Sequence, residues 1–165
     1  MTTTANSGDD QLDKATAAFC RALAPPRGHE ERRLAAARAA VGEAGRYVHS
    51  WTREWGVHPW LVNAALACTK QLVAHAVHAV QQANPDAADS LVLWARHTGP
   101  LHVVVEVWYP LTTPPDLAND LLASVVRIAS AVNHYPCSPK GRPGRTICAE
   151  LTLPAAQGTP GQEPR

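Results

Sequence analysis

The longest periodic pattern of apolar residues in the chain runs from Asn63 to Val80, with the sequence NAALACTKQLVAHAVHAV. Residues three and four apart lie on one side of an α-helix, so apolar residues at this spacing predict a helix with one stripe facing a core. The stripe contains four apolar residues and a threonine that fills the one gap: Ala65, Thr69, Leu72, Ala76 and Val80.

A second set of side chains follows the same spacing beside that stripe. Gln71, His75 and His78 are also three and four residues apart, so they share a neighbouring face of the predicted helix. They form the cluster of side chains in this segment that is suited to chemistry, and we therefore expect the function of the protein to depend on this face.

Helical periodicity also precedes the central segment. A helix is predicted from about residue 30 to residue 55, with Glu30 and Glu31 in its first turn, where carboxylates favour the helix dipole. Gly56 follows as a C-terminal cap. The central helix is then predicted to span residues 60–83.

After residue 85 the pattern changes from helical spacing to short apolar and β-branched runs. These runs predict a hairpin, then a helix, then a closing strand. In chain order the predicted elements are a strand at 91–94 continued by Ala95 and Arg96, a turn at 97–100, a strand at 101–108, a loop at 112–115, a helix at about 116–133, a loop at 136–144 and a strand at 145–153.

The predicted order of helix, helix, strand, strand, helix, strand indicates the α+β class. We expect a two-layer sandwich in which helices pack on one face of a mixed, mainly antiparallel sheet. A chain of 165 residues suits one domain, expected at 17–153. Residues 1–13 and 155–165 are predicted to be disordered tails, and the apolar run 17–23 an edge strand or a helical turn.

The charge balance argues weakly against two classes of partner, and the lack of membrane-spanning and signal-peptide patterns favours the cytoplasm. Lys and Arg number 15 against 14 Asp and Glu, which argues against a nucleic-acid or membrane-surface partner. A cytoplasmic location is expected, because no apolar stretch is long enough to span a bilayer and no signal-peptide pattern is present. The four cysteines lack a C-x-x-C pair and are expected to be mostly buried free thiols: Cys20, Cys68, Cys137 and Cys148.

Four short stretches, in this order, carry a family pattern. They are Trp55-Gly56 at the end of the first helix, QLVAHAVH at 71–78, VEVWY at 105–109 and GRTICAEL at 144–151. The last three resemble E-L-V-T-N-A-V-R, V-E-V-S-D and G-K-T-V-W-x-E-L of the GHKL-type ATPase domain, the histidine-kinase-like or Bergerat fold. The resemblance is to the ATP-binding regulators of actinobacteria that are related to anti-sigma factor serine kinases, and it covers residues 35–153.

The resemblance implies an ATP pocket at Gln71, His75, Tyr109 and Thr146, but only Thr146 keeps the family's residue type. The family's helix glutamate polarises the attacking group, and Gln71 at that position cannot accept a proton. The family's Mg²⁺-binding asparagine is replaced by His75, and imidazole is a poor ligand for this oxygen-preferring cation. The adenine-binding aspartate is replaced by Tyr109. The glycine-rich run before the last helix is replaced by residues 118–121, which lack glycine and add a carboxylate.

These departures predict a pseudoenzyme: a degenerate ATPase-fold regulator of the anti-sigma-factor type with no catalytic residue and no cofactor. It would bind a partner protein while nucleotide binding is weakened or lost. The implied partner is a sigma factor or an anti-anti-sigma-type protein in transcription regulation, and the resemblance allows a homodimer. The alternative is an active ATP-dependent serine/threonine kinase with altered Mg²⁺ and adenine ligands. A pocket filled by Tyr109 would favour the first, and an open pocket from Gln71 to Thr146 the second.

A metal site is a rival interpretation of the central face. Cys68, His75 and His78 lie on one side of the helix, and His-x-x-His offers two nitrogens to zinc. No second Cys/His pair at ligand spacing lies nearby in the sequence, so no metal is expected.

Three tryptophans lie around the predicted junction of the first two helices. Trp51, Trp55 and Trp60 would be core residues if buried. If part of the group is exposed, it would form a protein-binding patch.

Overall fold

The computed structural model describes residues 27–85 and 89–153, which form a five-stranded sheet and three α-helices. In chain order the elements are β1 (Gly28–Ala35), α1 (Ala39–Glu54), α2 (Pro59–Ala83), β2 (Ser90–Gly99), β3 (His102–Tyr109), α3 (Asp120–Ile128), β4 (Ala131–Cys137) and β5 (Gly144–Thr152). A short 3-10 turn at Pro139–Gly141 connects β4 to β5.

The sheet has the strand order β1-β2-β3-β5-β4, and every neighbouring pair is antiparallel. Alternate residues of the central strands share one apolar core with all three helices, so the helices cover a single face of the sheet. The predicted two-layer α+β sandwich is confirmed. In the described residues its sheet is antiparallel throughout rather than mixed.

The junction of α1 and α2 is held by hydrogen bonds at both helix ends. Gly56 has a φ of +66°, its amide donates to the Arg53 carbonyl, and the Val57 amide donates to the Thr52 carbonyl. This pair of bonds is a Schellman cap, and it confirms Gly56 as the predicted stop. His58 then caps α2, because its Nδ1 accepts the Trp60 amide at 3.2 Å. A tight corner therefore turns α1 back along α2.

Helix α2 buries the stripe that the sequence predicts. The side chains of Ala65, Thr69, Leu72, Ala76 and Val80 are all at most 1% exposed. The Thr69 hydroxyl donates to the Ala65 carbonyl at 2.6 Å, so the polar residue in the stripe is satisfied within the helix. The predicted helix at 60–83 is confirmed, and it is the element that contacts both α1 and the sheet.

Residues 28–35 form an edge strand, so the predicted helix start at residue 30 is wrong. They pair with residues 90–97 in unbroken antiparallel register. Glu30 and Glu31 therefore lie in β1, and Glu31 accepts a hydrogen bond from the Trp94 indole at 2.7 Å. Glutamate and arginine favour helices locally, but pairing with β2 overrides that preference, and charged side chains suit an exposed edge.

The predicted helix at 116–133 is too long at both ends. Asn119 caps α3 by accepting the Leu121 amide at 2.9 Å, so the helix begins at Asp120. It ends at Ile128, because Ala129 is extended and the chain enters β4. Part of the predicted 136–144 loop also belongs to β4, where Pro136 is tolerated because the strand lies at the sheet edge.

The predicted hairpin is present with a different turn. Strand β2 extends to Gly99 instead of ending near residue 96, and the turn is made by Pro100 and Leu101. The pairing of β2 with β3 shifts register between His97 and Gly99, which is the irregularity that sequence periodicity does not reveal.

Some predictions fall outside the described part of the chain. The tails at 1–13 and 155–165 and the apolar run at 17–23 lie there, as does Cys20. Among residues 27–85 and 89–153, none of the helices combines the length and apolar character needed to cross a membrane. The three cysteines in these ranges are free thiols, and Cys68 and Cys148 are buried.

Candidate functional site

The structure brings together two of the four residues predicted to form the pocket. His75 on α2 and Tyr109 at the end of β3 meet edge to face, with ring centroids 6.1 Å apart. Tyr109 is 1% exposed and His75 is 8% exposed. The phenol ring therefore packs against the chain's own helix α2.

Both rings are held in their neutral forms. Burial raises the pKa of Tyr109 to about 12, and the nearby Arg145 guanidinium opposes part of that rise. Burial lowers the pKa of His75 below its usual 6.5, and the neighbouring His78 lowers it further. Neither the Tyr109 hydroxyl nor His75 Nδ1 has a hydrogen-bond partner among the described residues. The contact therefore joins two neutral, buried rings, each of which has a polar atom without a hydrogen-bond partner among the described residues.

Thr146 does not join this contact, because it lies on the other face of the sheet. In the antiparallel pair of β3 and β5, Thr146 is opposite Trp108, and Arg145 is opposite Tyr109. Opposite residues point to the same face and successive residues to opposite faces. The side chain beside Tyr109 on the helix-covered face is therefore Arg145, and Thr146 is fully buried on the outer face.

Arg145 is the residue of this site that the sequence reasoning missed. Its guanidinium donates to the Thr112 carbonyl at 3.2 Å and lies 3.0 Å from Nδ1 of His134. At 7% exposure, it is the buried cation of the site and is committed to the loop after β3 and to β4. The signal that would have found it is strand alternation, counted from the buried Ile147.

A cavity of about 350 Å³ remains beside the two rings, between α2 and the loop that follows β3. Its lining includes His75 and Tyr109, with Gln82 further along α2 and Asp116 in the loop. Gln71, which is half-buried one turn earlier on α2, does not line it, and neither does Thr146. The four predicted pocket residues therefore do not share a continuous cavity.

One amide in the first turn of α3 and one just before the helix are already occupied. Asn119 Oδ1 accepts the Leu121 amide at 2.9 Å, and Asp116 Oδ1 accepts the Ala118 amide, also at 2.9 Å. Free amides at a helix N-terminus are the usual ligands of a phosphate group. Here two side chains of the loop take that role, and the carboxylate among them brings negative charge.

The candidates for a metal site do not converge. Cys68 is fully buried, and burial raises the pKa of its thiol to about 12, so the thiolate ligand is disfavoured. His78 is exposed and His75 is buried against Tyr109. In the part of the chain that the structure describes, no three metal-ligating side chains lie close enough to hold an ion.

The three tryptophans around the α1–α2 junction do not form one patch. Trp51 is buried, whereas Trp60 at the start of α2 is 51% exposed. Trp55 is half-buried and stacks on His97 with ring centroids 4.7 Å apart. Two of the three therefore contribute to packing, and Trp60 alone is presented to solvent.

The outer face of the sheet holds a polar network that the sequence reasoning missed. Glu106 is 8% exposed, accepts a hydrogen bond from the Tyr135 hydroxyl and forms an ion pair with Arg96 at 3.4 Å. Burial, together with the Glu106 carboxylate, raises the pKa of Tyr135. A glutamate inside the β-branched run of β3 was the available signal, since a charge in such a strand requires a partner.

No protein-family model matches the chain, and no curated protein matches its sequence. Solved structures do match its fold. One chain in the crystal structure of the SiaB-SiaC complex from Pseudomonas aeruginosa is similar, with a TM-score of 0.58 and 10% sequence identity. The alignment covers 87% of this chain and 100% of that chain. At this identity the likeness shows that the two chains share a fold.

Proposed function

We propose that this protein is a degenerate ATPase-fold regulator of the anti-sigma-factor type, which acts by binding a partner protein. The observation that carries the proposal is the closed contact of Tyr109 with His75, two residues that the sequence resemblance aligns with the family's adenine and Mg²⁺ ligands. The buried Tyr109 ring itself fills that position, and the cavity beside it is lined by neither Gln71 nor Thr146. Loss of the nucleotide leaves protein binding as the retained activity.

Two further features disfavour a phosphate group at the same site. Asp116 accepts the Ala118 amide just before α3, Asn119 accepts the Leu121 amide in its first turn, and the Arg145 guanidinium is committed to Thr112 and His134. A triphosphate would need those donors and would meet the Asp116 carboxylate. These contacts support weakened nucleotide binding rather than an active serine/threonine kinase.

The fold likeness adds support for a protein partner. The similar chain from Pseudomonas aeruginosa was solved in a complex of two proteins. We propose the same mode of action here, with a sigma factor or an anti-anti-sigma-type protein as the partner implied by the sequence resemblance, in the control of transcription.

Calorimetric titration of the purified protein with ATP, with and without Mg²⁺, tests the proposal. We expect no heat of binding up to millimolar nucleotide. Micromolar, Mg²⁺-dependent binding would contradict the proposal and would make phosphotransfer to a partner serine the next assay.

A designed variant tests where the lost pocket lies. Gln71→Glu, His75→Asn and Tyr109→Asp together open the closed contact and restore the family's ligand types, so we expect measurable ATP affinity in the same titration. The matched control carries Gln71→Glu alone, which leaves Tyr109 in place and should bind no nucleotide. Circular dichroism establishes that both variants are folded before their affinities are compared.

A further inference from the structure

A groove runs along the solvent side of the helix layer, between α1 and α2. Three hollows of about 650, 430 and 360 Å³ follow one another along it. On α1 the lining row runs from Arg38 through Arg46 to Arg53, in steps that keep one side of the helix. On α2 the opposing row runs from Asn63 to His78. The groove therefore follows the whole seam between the two helices.

All residues in the groove that carry a permanent charge are cations. Arg38, Arg46, Arg53 and Lys70 line it and are exposed, and no aspartate or glutamate is among its lining residues. We call this set the basic groove. The imidazoles of His49 and His78 add proton-binding groups to the same surface.

Within the described ranges 27–85 and 89–153, the arginines and the lysine of the basic groove form no ion pair. The ion pairs found there join other residues, and none includes an arginine or lysine of the groove. The carboxylates of α1 are used elsewhere, since Glu43 accepts from the Tyr47 hydroxyl at 3.3 Å and Glu54 accepts from the Ser50 hydroxyl at 2.8 Å. The groove is thus a surface of one sign on a protein whose net charge is only +1.

The dimensions of the groove suit a single polypeptide segment. From Arg38 to Arg53 the helix rises roughly 22 Å, which an extended segment of about seven residues would span. Gly42 and Gly45 lie on the α1 side of the groove; Gly42 has no side chain to fill it, whereas Gly45 is covered by the Leu66 and Lys70 side chains. Arginines about two helical turns apart offer bidentate sites for carboxylates placed along one face of such a segment.

We propose that the basic groove binds an acidic segment of a partner protein. The inference rests on the proposed function, because it names the surface through which that partner would bind. Nucleic acid is the less suitable ligand: the pI of the chain is about 7.8, and the lining residues include no Phe, Tyr or Trp ring on which a base would stack. Local charge complementarity to carboxylates requires only the four cations present.

Fluorescence anisotropy with two labelled peptides, decaglutamate and decaglutamine, tests the proposal on the full chain. We expect decaglutamate to bind with an affinity that falls as salt is added, and decaglutamine not to bind. Arg38→Glu, Arg46→Glu and Arg53→Glu together should weaken binding by at least about tenfold. The matched control, Arg27→Glu, Arg33→Glu and Arg127→Glu, makes the same change in net charge at exposed sites outside the groove and should change affinity by less than about twofold.

Several results would overturn the assignment. Absence of decaglutamate binding at low salt, or an equal loss in both triple variants, would show that the groove has no specific role. Tighter binding of a 20-nucleotide single-stranded DNA through the same arginines would assign the groove to nucleic acid. Higher peptide affinity after Asp9→Asn, Asp10→Asn and Asp13→Asn would show that the chain's own N-terminal stretch competes for the groove, and not a partner.

The outcome is separable from that of the nucleotide titration. The peptide assay contains no ATP, so micromolar ATP binding would remove the proposed function and leave the groove's affinity for carboxylates as measured. Conversely, if neither decaglutamate nor ATP binds, the proposed regulatory function is retained and its partner must bind at another surface.

Discussion

The two sides of helix α2 have different surroundings: one is packed against the sheet and the other lines a groove open to solvent. On the sheet side His75 packs against Tyr109, both rings are neutral and the contact is closed. On the solvent side Lys70 and His78 line an open groove that they share with the arginines of α1. The difference arises from what lies opposite each side. Tyr109 of β3 fills the space on the sheet side, whereas on the solvent side α1 presents Gly42 and arginine side chains beside an open groove. The neighbouring element therefore decides which side of the helix is open to a ligand.

On the sheet side of α2, removal of the Tyr109 ring should have the largest effect on stability. Tyr109→Ala deletes a fully buried aromatic side chain, and we expect unfolding to become easier by about 3–5 kcal/mol. Tyr109→Phe is the matched control: the hydroxyl has no partner among the described residues, so its loss should change stability by less than about 1 kcal/mol. Urea denaturation measures both. Equal destabilisation by the two variants would mean that the hydroxyl, and not the ring, holds the contact.

The same contact can be disturbed from the backbone side through Gly144. A Cβ atom at Gly144 would lie 2.4 Å from the Tyr109 carbonyl oxygen and 2.5 Å from Nε1 of Trp108. Both atoms belong to the central strand β3, so Gly144→Ala should cost about 1–3 kcal/mol in the free energy of unfolding. Gly99→Ala is the control in the same sheet, since no heavy atom lies within 4 Å of a Cβ there. Similar midpoints for the two variants would show that β5 can shift away from β3.

A pH titration of stability sharpens the electrostatic part of the comparison. The pKa of His75 is lower in the folded state than its usual 6.5, so the unfolded chain binds the proton first as the pH falls. Its contribution to stability is therefore present above pH 6.5 and is lost as the pH drops below that value towards the folded-state pKa. His75→Gln should flatten the dependence of unfolding free energy on pH in that window. His78→Gln removes only the smaller of the two causes and should flatten it less.

The smallest effect is expected on the open side, where added volume should do no harm. The nearest atom to a Cβ at Gly42 is an Arg46 guanidinium nitrogen at 3.8 Å, so Gly42→Ala should stabilise the protein by about 0.5–1 kcal/mol through helix propensity. Gly45→Ala meets Leu66 and Lys70 side-chain carbons at 3.0 and 3.1 Å and should gain less. Thermal unfolding compares the two, and a loss of stability in Gly42→Ala would show that the groove is narrower than described.

Much of the fold can be read from the sequence where burial alone decides the structure. The stripe of α2, the Gly56 stop and the closing strand β5 are all buried or capped, and each was predicted with boundaries close to those observed. Strand β1 could not be predicted, because its exposed glutamates and arginines carry no apolar alternation and favour a helix locally. Strand β4 was hidden for a related reason: its residues directly continue an apolar helical pattern, and only pairing with β5 makes them a strand.

The candidate site shows a different limit. The sequence resemblance named His75 and Tyr109 as pocket residues, and the structure brings their rings into contact. It also named Thr146, but a resemblance does not count strand register, and a one-residue offset in the register of β5 moves a side chain to the opposite face of the sheet. Arg145 takes the position beside Tyr109 instead. The α1–α2 groove was outside the reach of sequence reasoning, because its cations come from two helices and only their packing brings the rows together.

The corner at Trp55 to His58 has a consequence for the order in which the molecule assembles. Its cap bonds end α1 and start α2 within a four-residue connection, so the contacts between these helices close short loops of chain. The pairing of β1 with β2, by contrast, must close a loop of more than fifty residues around both helices. Short loops cost less entropy and form sooner, so we expect the helical hairpin to be in place before the sheet is complete. In that folding order, we expect the two helices that line the basic groove to pack first and β1 to pair with the sheet last.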